Sequence, residues 1–125
     1  MAYRPIFDTS QLPKLGPLPE DLRFDMKMML AKPIGESALA GDVAAFANTV
    51  GGVLLIGAKE APNGSGILSN YEPMPYSEAV SIGTILKNAL RLCSPKPIAE
   101  AKPVALEAQT DKFVVAINCE PFAAR

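Results

Sequence analysis

The segment from Asp42 to Glu60, DVAAFANTVGGVLLIGAKE, reads as a helix, a glycine stop and a buried strand in unbroken succession. Leu39, Val43, Phe46, Ala47 and Val50 recur at spacings of four and three, which makes one apolar stripe on a helix beginning near Glu36. Gly51 supplies the left-handed backbone that a helix end usually needs, and Gly52 lets the chain turn at once. Val53-Leu54-Leu55-Ile56 is too short for a helix and apolar at every position, so it fits a central strand covered on both faces.

The flanks supply partners for that strand. From Leu22 to Leu30, Leu22, Phe24, Met26, Met28 and Leu30 alternate with Arg23, Asp25, Lys27 and Met29, the pattern of a half-buried strand with Asp25 and Lys27 on one face. Pro62-Asn63-Gly64-Ser65-Gly66 is a turn-rich loop, after which a short strand near Ile67 to Leu68 is expected to pair back. A second helix is predicted from about Ser77, whose hydroxyl offers a cap, to about Cys93. Its core face is Val80, Ile82, Ile85, Leu86, Ala89 and Leu90. Strands near Ile98 to Glu107 and Lys112 to Cys119, joined by a polar turn, close the chain as a hairpin. Residues 1–19 carry Pro5, Pro13, Pro17 and Pro19 and read as an extended arm that packs on the domain or on a partner. This order predicts an α+β fold: a two-layer sandwich with a mixed sheet and two helices on one face.

Ala45-Phe46-Ala47-Asn48-Thr49, Gly51-Gly52 and Leu55-Ile56-Gly57 together resemble the signature of the Schlafen/Alba-type DNA-binding domain family (Schlafen AlbA_2). Glu20, Asp25 and Lys27 are similar to the acidic, acidic-x-Lys pattern of the family's first strand, with Asp25 in place of the more usual Glu. Pro95-Lys96-Pro97 and Phe113-Val114-Val115-Ala116-Ile117 are similar to the turn and strand after its second helix. The resemblance spans roughly residues 20 to 121. It implies an Alba-like sandwich over residues 20–125, nucleic-acid binding within a cytoplasmic regulator of transcription, and homodimer formation. Members commonly continue with a further strand and an arginine-bearing segment, so the chain is expected to be either trimmed at its C-terminus or a minimal member.

Composition narrows the chemistry. A chain of 125 residues with 49% hydrophobic side chains makes about one domain, and no apolar run is long enough for a membrane span or a signal peptide core. Histidine is absent, which excludes His-based triads and nearly all zinc sites. Cys93 and Cys119 lack CxxC spacing and read as reduced structural thiols. A net charge of −1 is unlike that of a protein neutralising many duplex phosphates, so nucleic-acid binding has to rest on a local patch.

Lys87 and Arg91, four apart on the second helix, with Lys96 just beyond, are the candidate patch for a phosphate backbone, against the alternative of an ordinary solvated face. Lys27, Asn48, Thr49 and Lys59 are further candidate contacts. Asn48 and Thr49, at a helix end beside two glycines, equally suit a purely structural role in the turn. Tyr71 and Tyr76, flanking Pro73 and Pro75, are expected to cover the sheet edge rather than stack on bases. Gly52 and Gly57 superficially echo a P-loop, but apolar strand residues lie between them and Lys59 comes one position late, so ATP binding is not expected.

The other chemical candidate is the carboxylate set Glu20, Asp25 and Glu60. If the end of the central strand lies beside the first strand, the three could hold Mg²⁺ or Mn²⁺, with Lys27 stabilising developing charge. In the Schlafen branch, the resemblance associates such a set with metal-dependent RNA endonuclease activity. The alternatives are a solvated acidic face, or a non-catalytic domain that self-associates through a sheet edge. No cofactor is expected outside the nuclease reading, and the sequence leaves DNA and RNA as equal partners.

Overall fold

The computed structural model describes residues 5–17, 24–27, 35–61, 67–107 and 110–122. The signature segment folds as helix α1, Glu36–Ala47, followed by strand β3, Gly52–Ile56. Thr49 and Gly51 donate their N–H groups to Phe46 C=O, and Gly51 takes φ 79° as the chain leaves the helix. Every residue of β3 is buried.

Among the described residues, two strands precede α1: β1, Gly16–Pro17, and β2, Phe24–Lys27, the described part of the predicted Leu22–Leu30 strand. After β3 come β4, Ala58–Glu60; β5, Ile67–Tyr71; helix α2, Tyr76–Leu90; and the hairpin of β6, Ala99–Ala105, and β7, Phe113–Cys119. The main sheet has the order β2-β3-β7-β6 and is mixed, because β2 runs parallel to β3 while the other pairs are antiparallel.

Period-two alternation divides the core. Leu54 and Ile56 of β3, with Val115, Ile117 and Cys119 of β7, pack against Leu39, Val43 and Phe46 of α1 and Ile82, Leu86 and Ala89 of α2. Both helices therefore cover one face, and the fold is the predicted α+β sandwich. Val53 and Leu55 with Val114 and Ala116 face the other way, onto Ile6, Ala58 and Leu68. That back face is covered by the N-terminal arm and by a second, three-stranded sheet of order β1-β5-β4.

The arm is held by specific contacts as well as by burial. Asn118, a buried polar side chain near the end of β7, accepts from Ile6 N–H and donates to Ile6 C=O, each at 2.9 Å. Tyr71 O–H donates to Pro13 C=O at 2.6 Å, and Thr9 Oγ1 donates to Ala105 C=O at 2.6 Å. A 3-10 turn at Thr9–Gln11 is closed by reciprocal bonds between Asp8 and Gln11.

Two expectations for the second helix need correction. Its first residue is Tyr76, with Pro75 at the N-cap position, and the bond that caps it comes not from Ser77 but from Asp111 Oδ1 in the β6–β7 turn, which accepts from Tyr76 N–H at 2.8 Å. A carboxylate delivered from a distant turn also suits the positive end of the helix. Val80 is 46% exposed rather than in the core, since the side facing the sheet is occupied by Ala79, Ile82 and Leu86.

The two cysteines are free thiols beside α1. Cys119 Sγ donates to Val43 C=O at 3.3 Å. Burial first, then nearby Cys93 and Glu120, push the Cys119 thiol from 9.0 up to about 11. The native state therefore retains a proton that the unfolded chain releases. This stability is complete below pH 9 and drains away as pH rises toward about 11. Burial pushes Tyr71 from 10.0 to about 12, with the same sign at higher pH. Denaturant midpoints measured from neutral pH to pH 11 should fall above pH 9, and Cys119→Ala should flatten the early part of that fall. A midpoint independent of pH across this range would contradict the burial of both groups.

Candidate nucleic-acid interface

The basic residues of α2 cluster at its C-terminal end. Lys87 and Arg91 are exposed, one helical turn apart, and Lys96 is exposed just beyond. Glu78 occupies the first turn, nine residues before Lys87 and so about 13 Å away along the axis. This segregation complements the helix dipole, and it also concentrates positive charge where the helix ends. Its field is moderated on one side by Glu36, whose Oε2 accepts from Asn88 Nδ2 at 2.7 Å and ties the start of α1 to α2.

The remaining candidate contacts are not gathered around this patch. Asn48 is the C-cap of α1, twelve residues and about 18 Å along that helix from Glu36, which touches α2. Thr49 Oγ1 donates back to the carbonyls of Ala45 and Phe46, both at 3.1 Å, so its hydroxyl serves the helix end. Lys59 is exposed on β4 in the second sheet, beyond the far end of β3.

Of the carboxylate set, Glu20 lies outside the described residues, and Asp25, Lys27 and Glu60 are described as backbone positions. Asp25 pairs in register with Leu54 at the middle of β3, and Lys27 pairs with Ile56 at its end. The expectation that Glu60 ends the central strand is corrected. Gly57 takes φ 96°, a backbone that side chains rarely adopt, and breaks the strand there. Glu60 then belongs to β4 in the other sheet, opposite Leu68, next to a register shift between Lys59 and Glu60. The backbones of β2 and β4 do approach one another. Among the described residues no three acidic or thiol side chains converge as a metal site would require.

Both tyrosines serve the fold. Tyr71 is half-buried and bonded to the arm, and Tyr76 is exposed but packs edge-to-face on Phe113 with ring centroids 5.1 Å apart. Asn118 and Asp111 went unrecognised in the sequence. Asn118 left one trace, a polar residue inside the apolar run Val114 to Cys119. Among the described residues no helix is long and apolar enough to cross a membrane.

Compared with known families, residues 20–125 match the family model described as Schlafen, AlbA_2. No curated protein matches the chain significantly.

Proposed function

Because the chain belongs to the Schlafen AlbA_2 family, we propose that it is a nucleic-acid-binding module whose contact surface is the basic end of α2. The observation that carries this reading is the exposed group Lys87, Arg91 and Lys96 on a domain of that family. Three cations neutralise few phosphates, so binding is modest and depends on salt more than on sequence. A net charge of −1 fits the same picture, because attraction is confined to one patch instead of spread over the surface.

Fluorescence anisotropy with labelled single- and double-stranded DNA and RNA, at low and physiological salt, tests the reading and separates the two partner classes. Affinity should fall as salt rises. Lys87→Glu with Arg91→Glu should weaken binding to every sequence alike and reduce the slope of log affinity against log salt by about 2. Parent-like binding by the double variant would place the surface elsewhere. A parallel Mn²⁺ series with products run on a gel provides the decisive contrast: cleavage would assign the chain to the nucleases instead.

A further inference from the structure

The outward surface of α2 carries more than charge. Tyr76, Val80, Thr84, Lys87 and Arg91 follow one another at steps of four, four, three and four, and Gly83 falls on the same line between Val80 and Lys87. With about 3.6 residues per turn, these six positions lie within one sector of about 100°, which runs for about 22 Å along the helix. Ala79, Ile82, Leu86 and Ala89 face the sheet, and Asn88 meets Glu36 of α1, so the stripe occupies the flank of α2 turned away from α1. Glu78 falls outside this sector, and no acidic residue of α2 interrupts it.

The two ends of the stripe differ in chemistry. Lys87, Arg91 and Lys96 put exposed cations at the C-terminal end. Tyr76, 52% exposed, and Val80, 46% exposed, put an aromatic ring and a branched apolar side chain at the other. The edge-to-face contact with Phe113 fixes the Tyr76 ring while about half of the residue still meets solvent. Asp111, bonded to Tyr76 N–H, sets a carboxylate at this end, which disfavours a phosphate there and leaves room for an uncharged flat group. Between the ends, a Cβ built on Gly83 meets nothing within 4 Å, so the surface is open and a ligand chain can lie close to the helix.

A nucleic-acid strand carries both groups that this stripe selects, charged phosphates and flat bases. In a duplex the base faces are stacked on one another and hidden. A single strand can offer one of them to Tyr76 while its phosphates reach the cations. Resting on the reading of α2 as the contact surface, we infer that the partner is single-stranded nucleic acid laid along α2, with a base stacked on Tyr76 and phosphates on Lys87, Arg91 and Lys96. Every base has a face to stack, so the preference is for strandedness and not for sequence.

Anisotropy titrations with a labelled oligodeoxythymidylate and a labelled DNA duplex of the same length test this, with melting curves as a check on folding. The parent should bind the single strand more tightly. Tyr76→Leu keeps an apolar side chain against Phe113 and removes the flat ring. It should lower single-strand affinity about tenfold and leave duplex affinity and the salt slopes unchanged. The chain has three tyrosines and no tryptophan, so stacking also reads out as quenching of tyrosine fluorescence by unlabelled strand. Tyr76→Phe should bind as the parent does yet lose that quenching, and because it keeps the ring on Phe113 this readout stands even if Tyr76→Leu melts early. Salt-sensitive binding that Tyr76→Leu leaves intact, or weakens equally for strand and duplex, overturns the stacking role while the basic patch survives. Quenching that persists in Tyr76→Phe, or equal parent affinity for strand and duplex, overturns it as well. Absence of binding to both probes at low salt overturns this inference together with the reading it rests on.

Discussion

Asn118→Leu is expected to release the N-terminal arm from the sheet and to lower stability by about 2–5 kcal/mol. Leucine has nearly the shape of asparagine, so packing around β7 is preserved and the effect isolates the polar contacts. The amide of Asn118 acts as a substitute peptide group, serving both the N–H and the C=O of Ile6 at 2.9 Å. Ile6 is 2% exposed, so after the substitution neither of its backbone groups has water or protein to bond. The cheapest response is for the arm to lift and hydrate, uncovering Val53, Leu55 and Ala116 beneath it. Urea denaturation measures the loss, and limited proteolysis should show cutting between Pro5 and Pro17 that the parent resists. A variant with parent stability and parent proteolysis would mean that burial of Ile6, and not the amide, holds the arm.

Gly52→Ala should cost about 1–3 kcal/mol through overpacking at the start of the central strand. A Cβ at Gly52 would run into one edge of the Phe46 ring, closest at Cδ1 and Cε1 and also too near Cγ. Because Cγ, where the ring joins its stem, is itself too close, a small swing of the ring's tip does not clear the contact. Phe46 is 6% exposed in the core between the helices and the sheet, and moving it would open that core. Phe46→Leu alone is also destabilising, but it removes the obstructing ring. The double variant should therefore be more stable than the sum of the two single losses predicts. Strict additivity in thermal or urea melts would show that the ring and the glycine do not compete for the same space.

Elements whose signal is local were legible in the sequence. The α1 stripe, the apolar run of β3, the β6–β7 hairpin and a short strand at Ile67 that pairs back each depend on periodicity or turn chemistry within a few residues. The start of α2 near Ser77 is legible too, but its capping group is not, because Asp111 is brought from 35 residues away. Val80 was misread because an apolar residue at helical spacing does not reveal how wide the face against the sheet is.

For the candidate site, the sequence determined which charges exist and that Lys87 and Arg91 share one side of a helix, because a four-residue spacing allows no other arrangement on a helix. It also excluded histidine chemistry outright. Tertiary structure decided what lies near that patch: it brought Glu36 to Asn88, kept Asn48 at the far end of α1, and moved Glu60 into a second sheet through the backbone turn at Gly57. Spacing along the chain fixes neighbours only within a helix or a strand, whereas those placements follow from long-range hydrogen bonds and burial that exist only once the layers have packed.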